Sequence, residues 1–282
     1  MLANMAGLAV FNNAPTLLSQ QIILGANVLG FGMSLAQPHS HYHVDLLGTG
    51  AFALSTVPSL VAGSKVPARI TWTSAAVATW SVKLASFLLY RVLQRGSDTR
   101  MDGIMDNPVY CAGFWAYSAF WGVLCSLPYS LGLATLNPGN PLLVKAGMGL
   151  FGVGLAIETA ADYQKLQHKK NHPDKFCNSG VWAYSQHPNY FGNFVLWLGI
   201  LVSNASVLYT SPSGIVNPTL WQRLWAGRRF ALALVGPAFM WRLFDVQARG
   251  ILLSDNYQAQ RKRFGYGTNP EYTMYIDGKH FC

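Results

Sequence analysis

The stretch YFGNFVLWLGILVSNASVLY, Tyr190 to Tyr209, holds 20 residues without one Asp, Glu, Lys or Arg. A bilayer's hydrocarbon core of ~30 Å needs roughly 20 apolar residues of helix. The stretch therefore reads as a membrane-spanning helix. Outward from it, six more segments have similar character: 15–36, 44–62, 69–93, 109–135, 142–164 and 229–248. Gln20, Gln21 and Asn27 dilute the first. Pro128 predicts a kink in the fourth. The run Asn137-Pro138-Gly139-Asn140-Pro141 is a turn between the fourth and fifth.

Composition agrees with this reading. Of 282 residues, 51% are hydrophobic and 11% charged, where soluble domains carry about 25% charged residues. The fold class expected is all-α: a polytopic integral membrane bundle of about seven transmembrane helices. Residues 1–282 form a single membrane domain, with a short N-terminal segment, 1–14, and a C-terminal tail, 249–282.

The net charge of +9 comes from 20 Lys and Arg against 11 Asp and Glu. These cations cluster in loops between apolar runs, where they orient the chain and meet anionic membrane lipids, so no nucleic-acid partner is expected. Alternating from the N-terminus, twelve cations fall on one side, among them Arg91, Lys165, Lys169 and Arg263. Six fall on the other, including Arg69, Arg223, Arg228 and Arg229. The richer side, which also carries the tail, is then cytosolic, or matrix or stroma in an organelle. Endoplasmic reticulum, mitochondrial inner and plastid membranes all remain open.

Cys111, Cys125, Cys177 and Cys282 form no C-x-x-C pair, and a Cys at the last position does not make a prenylation box. The N-terminus shows neither a basic signal region nor an Arg-rich transit pattern. Asn204-Ala205-Ser206 fits a glycosylation acceptor but lies within a span. His39, His41 and His43 alternate in a loop without an acidic or Cys partner, so no metal site is expected there. The glycines of Gly147–Gly154 follow no strand, so they read as helix-packing positions rather than a phosphate cradle.

Three constellations carry polar chemistry. The first is Tyr184-Ser185-Gln186-His187-Pro188-Asn189-Tyr190-Phe191-Gly192-Asn193, at the entrance to the sixth span. Pro188 suits a first helical turn, and Asn193 falls one turn beyond Asn189 on the same face. The bland alternative is an interfacial cap with aromatic anchors. The second is Glu158, Asp162, Lys165 and Lys169, spaced along one helix face. Acids at membrane depth usually face protein or a wet cavity, and an ion-pair ladder is the alternative. The third is Trp80, Lys83, Arg91, Gly96, Asp98 and Arg100, in which Lys83 either snorkels or meets an anion.

At these positions the chain resembles the steroid 5α-reductase-like superfamily, which also holds sterol reductases and isoprenylcysteine methyltransferases. Trp80-x-x-Lys83-Leu84, Tyr90-Arg91, Gly96-x-Asp98-x-Arg100, Glu158-x-x-x-Asp162-x-Gln164-Lys165 and His187-Pro188-Asn189-Tyr190-Phe191-Gly192 carry the likeness, with Val44-Asp45 and Ser126-Leu127-Pro128. Gly250-Ile251 and Asn269-Pro270-Glu271-Tyr272 echo it more weakly. The resemblance implies NADPH among the C-terminal helices. Lys83, Arg91, Glu158, Asp162, Lys169, His187, Asn189 and Tyr190 would hold it, and Asn193 and Tyr184 would be the catalytic candidates. The reaction implied is hydride delivery to a polarised C=C or enone of a lipid or sterol-like substrate.

Two departures from the family pattern bear on activity. Gln186 stands where the family has Arg, and Asn193 where it has Glu or Asp. An amide is neither a phosphate-binding charge nor a proton source. Leu252-Leu253-Ser254-Asp255 also replaces a Pro-Leu-Leu-Glu pattern. Three readings stay open: an active reductase, a degenerate relative retained in a larger respiratory or photosynthetic membrane complex, and an S-adenosylmethionine-dependent methyltransferase.

Overall fold

A computed structural model of the chain describes residues 15–96, 101, 103–209, 219–248 and 261–278. The α-helices are α1 (Pro15–Ala36), α2 (Tyr42–Gly48), α3 (Ala51–Ala62), α4 (Ala68–Arg95), α5 (Pro108–Gly132), α6 (Pro141–Asn171), α7 (Pro188–Leu208), α8 (Leu220–Ala248) and α9 (Pro270–Asp277). Among the described residues there is no strand. The segment 1–14, Asp98, Arg100, residues 249–260 and Cys282 lie outside the described residues.

Thr16–Ala36, Ala68–Gln94, Pro141–Asn171 and Pro188–Leu208 are long and apolar enough to cross a membrane. The bent pair Tyr42–Gly48 and Ala51–Lys65 raises the count to as many as five. All seven segments expected from sequence coincide with helices, but α5 and α8 do not meet the same apolar criterion. Helix α8 begins at Leu220, well before the expected 229. Thr219 and Gln222 cap it reciprocally: Gln222 Oε1 accepts from the Thr219 amide at 2.9 Å, and Thr219 Oγ1 from the Gln222 amide at 3.3 Å. Its first turns are rich in Arg and Trp, which hides them from a hydropathy reading.

The chain divides into two compact units, Met1–Met148 with Ile200–Gly236, and Gly149–Gly199 with Pro237–Cys282. In the first, Gln20, one of the polar residues that dilute α1, joins it to α5 together with Thr16. Gln20 Nε2 donates to Ser126 Oγ at 3.0 Å and Ser130 Oγ at 2.7 Å, and Thr16 Oγ1 to the Ser130 carbonyl at 2.7 Å. Gly122 lets α1 come near, since a Cβ there would stand 2.8 Å from Ile23 Cγ2. Helix α5 runs through Pro128 to Gly132.

The expected 44–62 span is broken, with a bend of 42°. An unbroken helix would bond the Ala53 amide to the Thr49 carbonyl. Ser81 Oγ of α4 stands in that bond: it accepts from Ala53 N at 2.9 Å and donates to Thr49 O at 2.7 Å. A hydroxyl inserted into the ladder is a recognised cause of a helix kink.

At the C-terminal end of α5, buried Arg69 uses its whole guanidinium fork. Nε and Nη2 donate to Asn137 O at 3.2 and 3.0 Å, Nη2 also to Thr135 O at 2.8 Å, and Nη1 to Gly132 O at 3.0 Å and to Asn204 Oδ1. These carbonyls sit at and just beyond the helix end, where the macrodipole favours a cation. Arg229 Nη2 donates to the neighbouring Leu131 carbonyl at 2.7 Å. Arg69 thus ties a helix end, an Asn-Pro turn and Asn204 together, a role its position in a loop count did not suggest.

Candidate functional site

In the second unit, helices α6 and α7 cross at two glycines. A Cβ on Gly154 would lie 2.4 Å from Leu196 N, and one on Gly192 2.6 Å from Glu158 N. Only glycine allows that backbone approach. Around Gly149 and Gly152 there is open space, so of the Gly-rich run Gly154 makes this close contact and those two do not.

The crossing brings Glu158, 2% exposed, against Asn193, 6% exposed. Asn193 Nδ2 donates to Glu158 Oε2 at 3.0 Å. Asp162, one turn along α6, is also buried. Asn193 Oδ1 and Asn189 Oδ1 are both buried without a hydrogen-bond partner among the described residues, and so is His168 Nε2. Asn189 and Asn193 stand one helical turn apart on α7, and each amide oxygen can accept from an N–H or O–H donor.

The approach to α7 is held by rings and hydroxyls. Ser185 Oγ accepts from the His187 amide at 3.1 Å. The His187 ring stacks on Tyr190 at 5.0 Å, and Tyr190 on Phe244 at 4.6 Å. Burial first, and then the charge of Lys165, hold the His187 pKa down at about 3. Lys165 Nζ lies 4.3 Å over the Trp182 ring, whose Nε1 donates to Ala161 O at 2.9 Å.

A C-terminal cap completes the unit. Asn269 Oδ1 accepts from the Glu271 and Tyr272 amides and starts α9. Helix α9 then docks on the loop between α6 and α7. Asn178 Nδ2 donates to Glu271 Oε1 at 2.9 Å, Tyr275 Oη to Trp182 O at 3.2 Å, and Gln186 Nε2 to Ile276 O at 2.6 Å. Phe176 packs on Tyr272 and Tyr275 with ring centroids 4.9 and 5.1 Å apart.

Of the residues expected from sequence, Glu158, Asp162, His187, Asn189, Tyr190 and Asn193 fall in this unit on α6, α7 and the turn between them. Lys169 is exposed near the end of α6, and Tyr184 turns its side chain outward, 85% exposed. Lys83 and Arg91 belong to the first unit, each 5.8 Å from the Phe87 ring centroid. Asp98, Arg100, Gly250, Ile251 and Leu252–Asp255 lie outside the described residues. Trp182 was not singled out, and Gln164 and Tyr275 entered only as positions in the family's motifs. Gln164 Oε1 accepts from Val181 N at 2.9 Å and holds the turn that starts at Gly180, φ 60°. A Gly flanked by Ser179 and an aromatic-rich run was the available signal.

Among the described residues no group of three or more His, Cys, Asp or Glu is placed to hold a metal ion. His43 turns inward, with Nε2 2.8 Å from Ser34 Oγ, while His39 Nδ1 lies 3.4 Å from Asp106 Oδ1.

Fold and site define an all-helical protein with the helix lengths and composition of an integral membrane protein and a buried acid–amide pair in its second unit. The chain belongs to the DUF1295 family, described as "Protein of unknown function", which it matches over residues 31–225. That range includes every candidate from Lys83 to Asn193 and stops before most of α8 and all of α9. No curated protein and no solved structure matches the chain.

Proposed function

We propose that the chain is a bundle of seven membrane spans of the steroid 5α-reductase-like kind, whose second unit is an NADPH-dependent reductase site for a C=C or enone of a lipid or sterol-like substrate. The observation that carries the reading is the pair of buried, unpartnered amide oxygens on Asn189 and Asn193 beside Glu158.

The residues fit the cofactor's polar groups. The two amide oxygens accept from carboxamide N–H or ribose O–H groups, which are donors of the right kind. Lys165 and Lys169 bring positive charge toward phosphates at the end of α6. Bound NADPH supplies the hydride. The chain's own part is to bind, orient and manage the proton. Neutral His187, stacked on Tyr190, walls the site without adding charge. Glu158 is the buried carboxyl held beside Asn193, whose amide cannot itself act as an acid.

One observation favours a second reading, a degenerate relative retained as a structural or lipid-binding subunit of a membrane complex. Gln186, at the family's Arg position, has its amide N–H on the Ile276 carbonyl and so serves the C-terminal cap.

Titration of the purified protein with NADPH, followed by fluorescence, tests the first reading. Saturable binding that weakens in Asn189→Leu supports it, and no binding at millimolar cofactor overturns it. Reductase activity that appears only in Asn193→Glu, or co-purification at fixed stoichiometry with respiratory or photosynthetic subunits, supports the second.

A further inference from the structure

The C-terminal end of α6 places two imidazoles side by side. The His172 amide donates to the His168 carbonyl at 2.7 Å, which carries the helical bonding one residue past Asn171. His172 therefore lies about 40° round the axis from His168, on the same face. The two rings stand 5.3 Å apart between centroids and are tilted by 55°. His168 Nε2 is buried without a hydrogen-bond partner among the described residues, while His172 is exposed. One ring thus carries an unsatisfied nitrogen, and the ring beside it is open to solvent.

Imidazole is a common ligand of Zn²⁺, Ni²⁺ and Cu²⁺, and two His four residues apart on one helix face can meet a single ion. With metal–nitrogen bonds of ~2.0–2.1 Å, two imidazoles on one ion have ring centres about 4.5–5 Å apart. The observed separation of 5.3 Å is close to that span. The carbonyl end of a helix also favours a cation. Of the neighbouring lysines, Lys169 and Lys170 are exposed and lie about 100° and 200° round the axis from His168. Lys165 sits over the Trp182 ring. Among the described residues no group of three His, Cys, Asp or Glu is gathered, so an ion held here keeps water in its other positions.

We propose that His168 and His172 together bind one divalent transition-metal ion of the Zn²⁺, Ni²⁺ and Cu²⁺ kind. Such an ion fastens the last turn of α6 to the start of the loop that leads to Trp182. Arg263 already holds that loop, donating to Pro173 O at 2.7 Å and Asp174 Oδ1 at 3.3 Å. The inference does not require that the second unit binds NADPH.

The test uses the untagged full-length protein in neutral detergent, titrated with Cu²⁺, the tightest-binding ion of the series. Calorimetry is expected to show one saturable equivalent, and electron paramagnetic resonance to show nitrogen couplings from two imidazoles. The melting temperature should rise with Cu²⁺ and stay unchanged with Mg²⁺. His168→Gln and His172→Gln should each weaken binding by at least about 10-fold and remove one imidazole from the spectrum. His39→Gln, at an exposed histidine elsewhere, should leave the titration as it was. The spectrum of the natural chain decides the matter even where a variant fails to fold. A spectrum with fewer than two imidazole nitrogens, an equal response to Mg²⁺, or binding that survives both Gln variants overturns the proposal. A chain that binds Cu²⁺ but not NADPH keeps this inference and loses the reductase reading.

Discussion

Asn193 donates its amide to the Glu158 carboxyl at 3.0 Å, across the point where α6 and α7 come closest. The same side chain's oxygen is buried without a hydrogen-bond partner among the described residues, so one amide pairs with the acid and keeps a free acceptor. Replacing it by Leu keeps the branched shape and removes both functions. Asn193→Leu is expected to lower stability by about 1–3 kcal/mol, the cost of a buried polar group losing its partner. Thermal unfolding in detergent measures it, and an unchanged midpoint would contradict the pairing.

The glycine crossing makes a contrast within one helix. Gly154→Ala and Gly192→Ala each drive a Cβ into backbone atoms of the opposite helix. Each should cost about 1–3 kcal/mol through overpacking. Gly149→Ala and Gly152→Ala meet open space and should be neutral or stabilising by up to about 1 kcal/mol. Melting temperatures of the four variants in one detergent decide the matter.

Ser81 supplies the hydroxyl that replaces a helix hydrogen bond at the bend after Thr49. Ser81→Ala should cost about 1–2 kcal/mol by leaving Ala53 N–H and Thr49 C=O unbridged. Ser81→Thr keeps the hydroxyl and should retain most of that stability. Equal unfolding midpoints for the Ala and natural chains would show that the bend stands without the bridge.

Arg69 satisfies three carbonyls and one side-chain amide from a buried position. A lysine keeps the charge but lacks the planar fork. Arg69→Lys is therefore expected to lose about 3 kcal/mol, and it should behave nearly as poorly as Arg69→Met. Monodispersity after heating distinguishes the variants, and a fully stable lysine variant would refute the fork's role.

His187 has a pKa near 3 in the folded chain, against 6.5 for the ordinary imidazole, because of burial and then of Lys165. Below 6.5 the unfolded chain therefore binds a proton that the folded chain refuses. The contribution to stability is complete above about pH 6.5 and is lost as pH falls from there toward 3. His187→Phe keeps a ring against Tyr190 and removes the titration. The acid limb of the melting temperature should be shallower in that variant, with little difference between pH 7 and 8. Parallel acid limbs would contradict a buried neutral imidazole.

Hydropathy placed the helices because a helix crossing lipid must be apolar for its whole length, and that demand is written into consecutive residues. Tyr190–Tyr209 was legible for this reason, together with the three other helices long and apolar enough to cross a membrane, and Glu158, Asp162, Asn189 and Asn193 stood out as acids and amides out of place in such runs. The start of α8 was not legible: its helix rests on the Thr219–Gln222 cap and carries Arg and Trp, which hydropathy scores as loop. Nor was the bend at Thr49, since the hydroxyl responsible comes from Ser81, 32 residues along the chain. Two amide groups show the same division. Helical spacing alone put Asn193 a turn beyond Asn189. That Asn193 meets Glu158 and that Gln186 serves the C-terminal cap came from folding, because those partners are brought by a glycine-to-glycine helix crossing and a docked terminal helix, contacts between segments far apart in the chain.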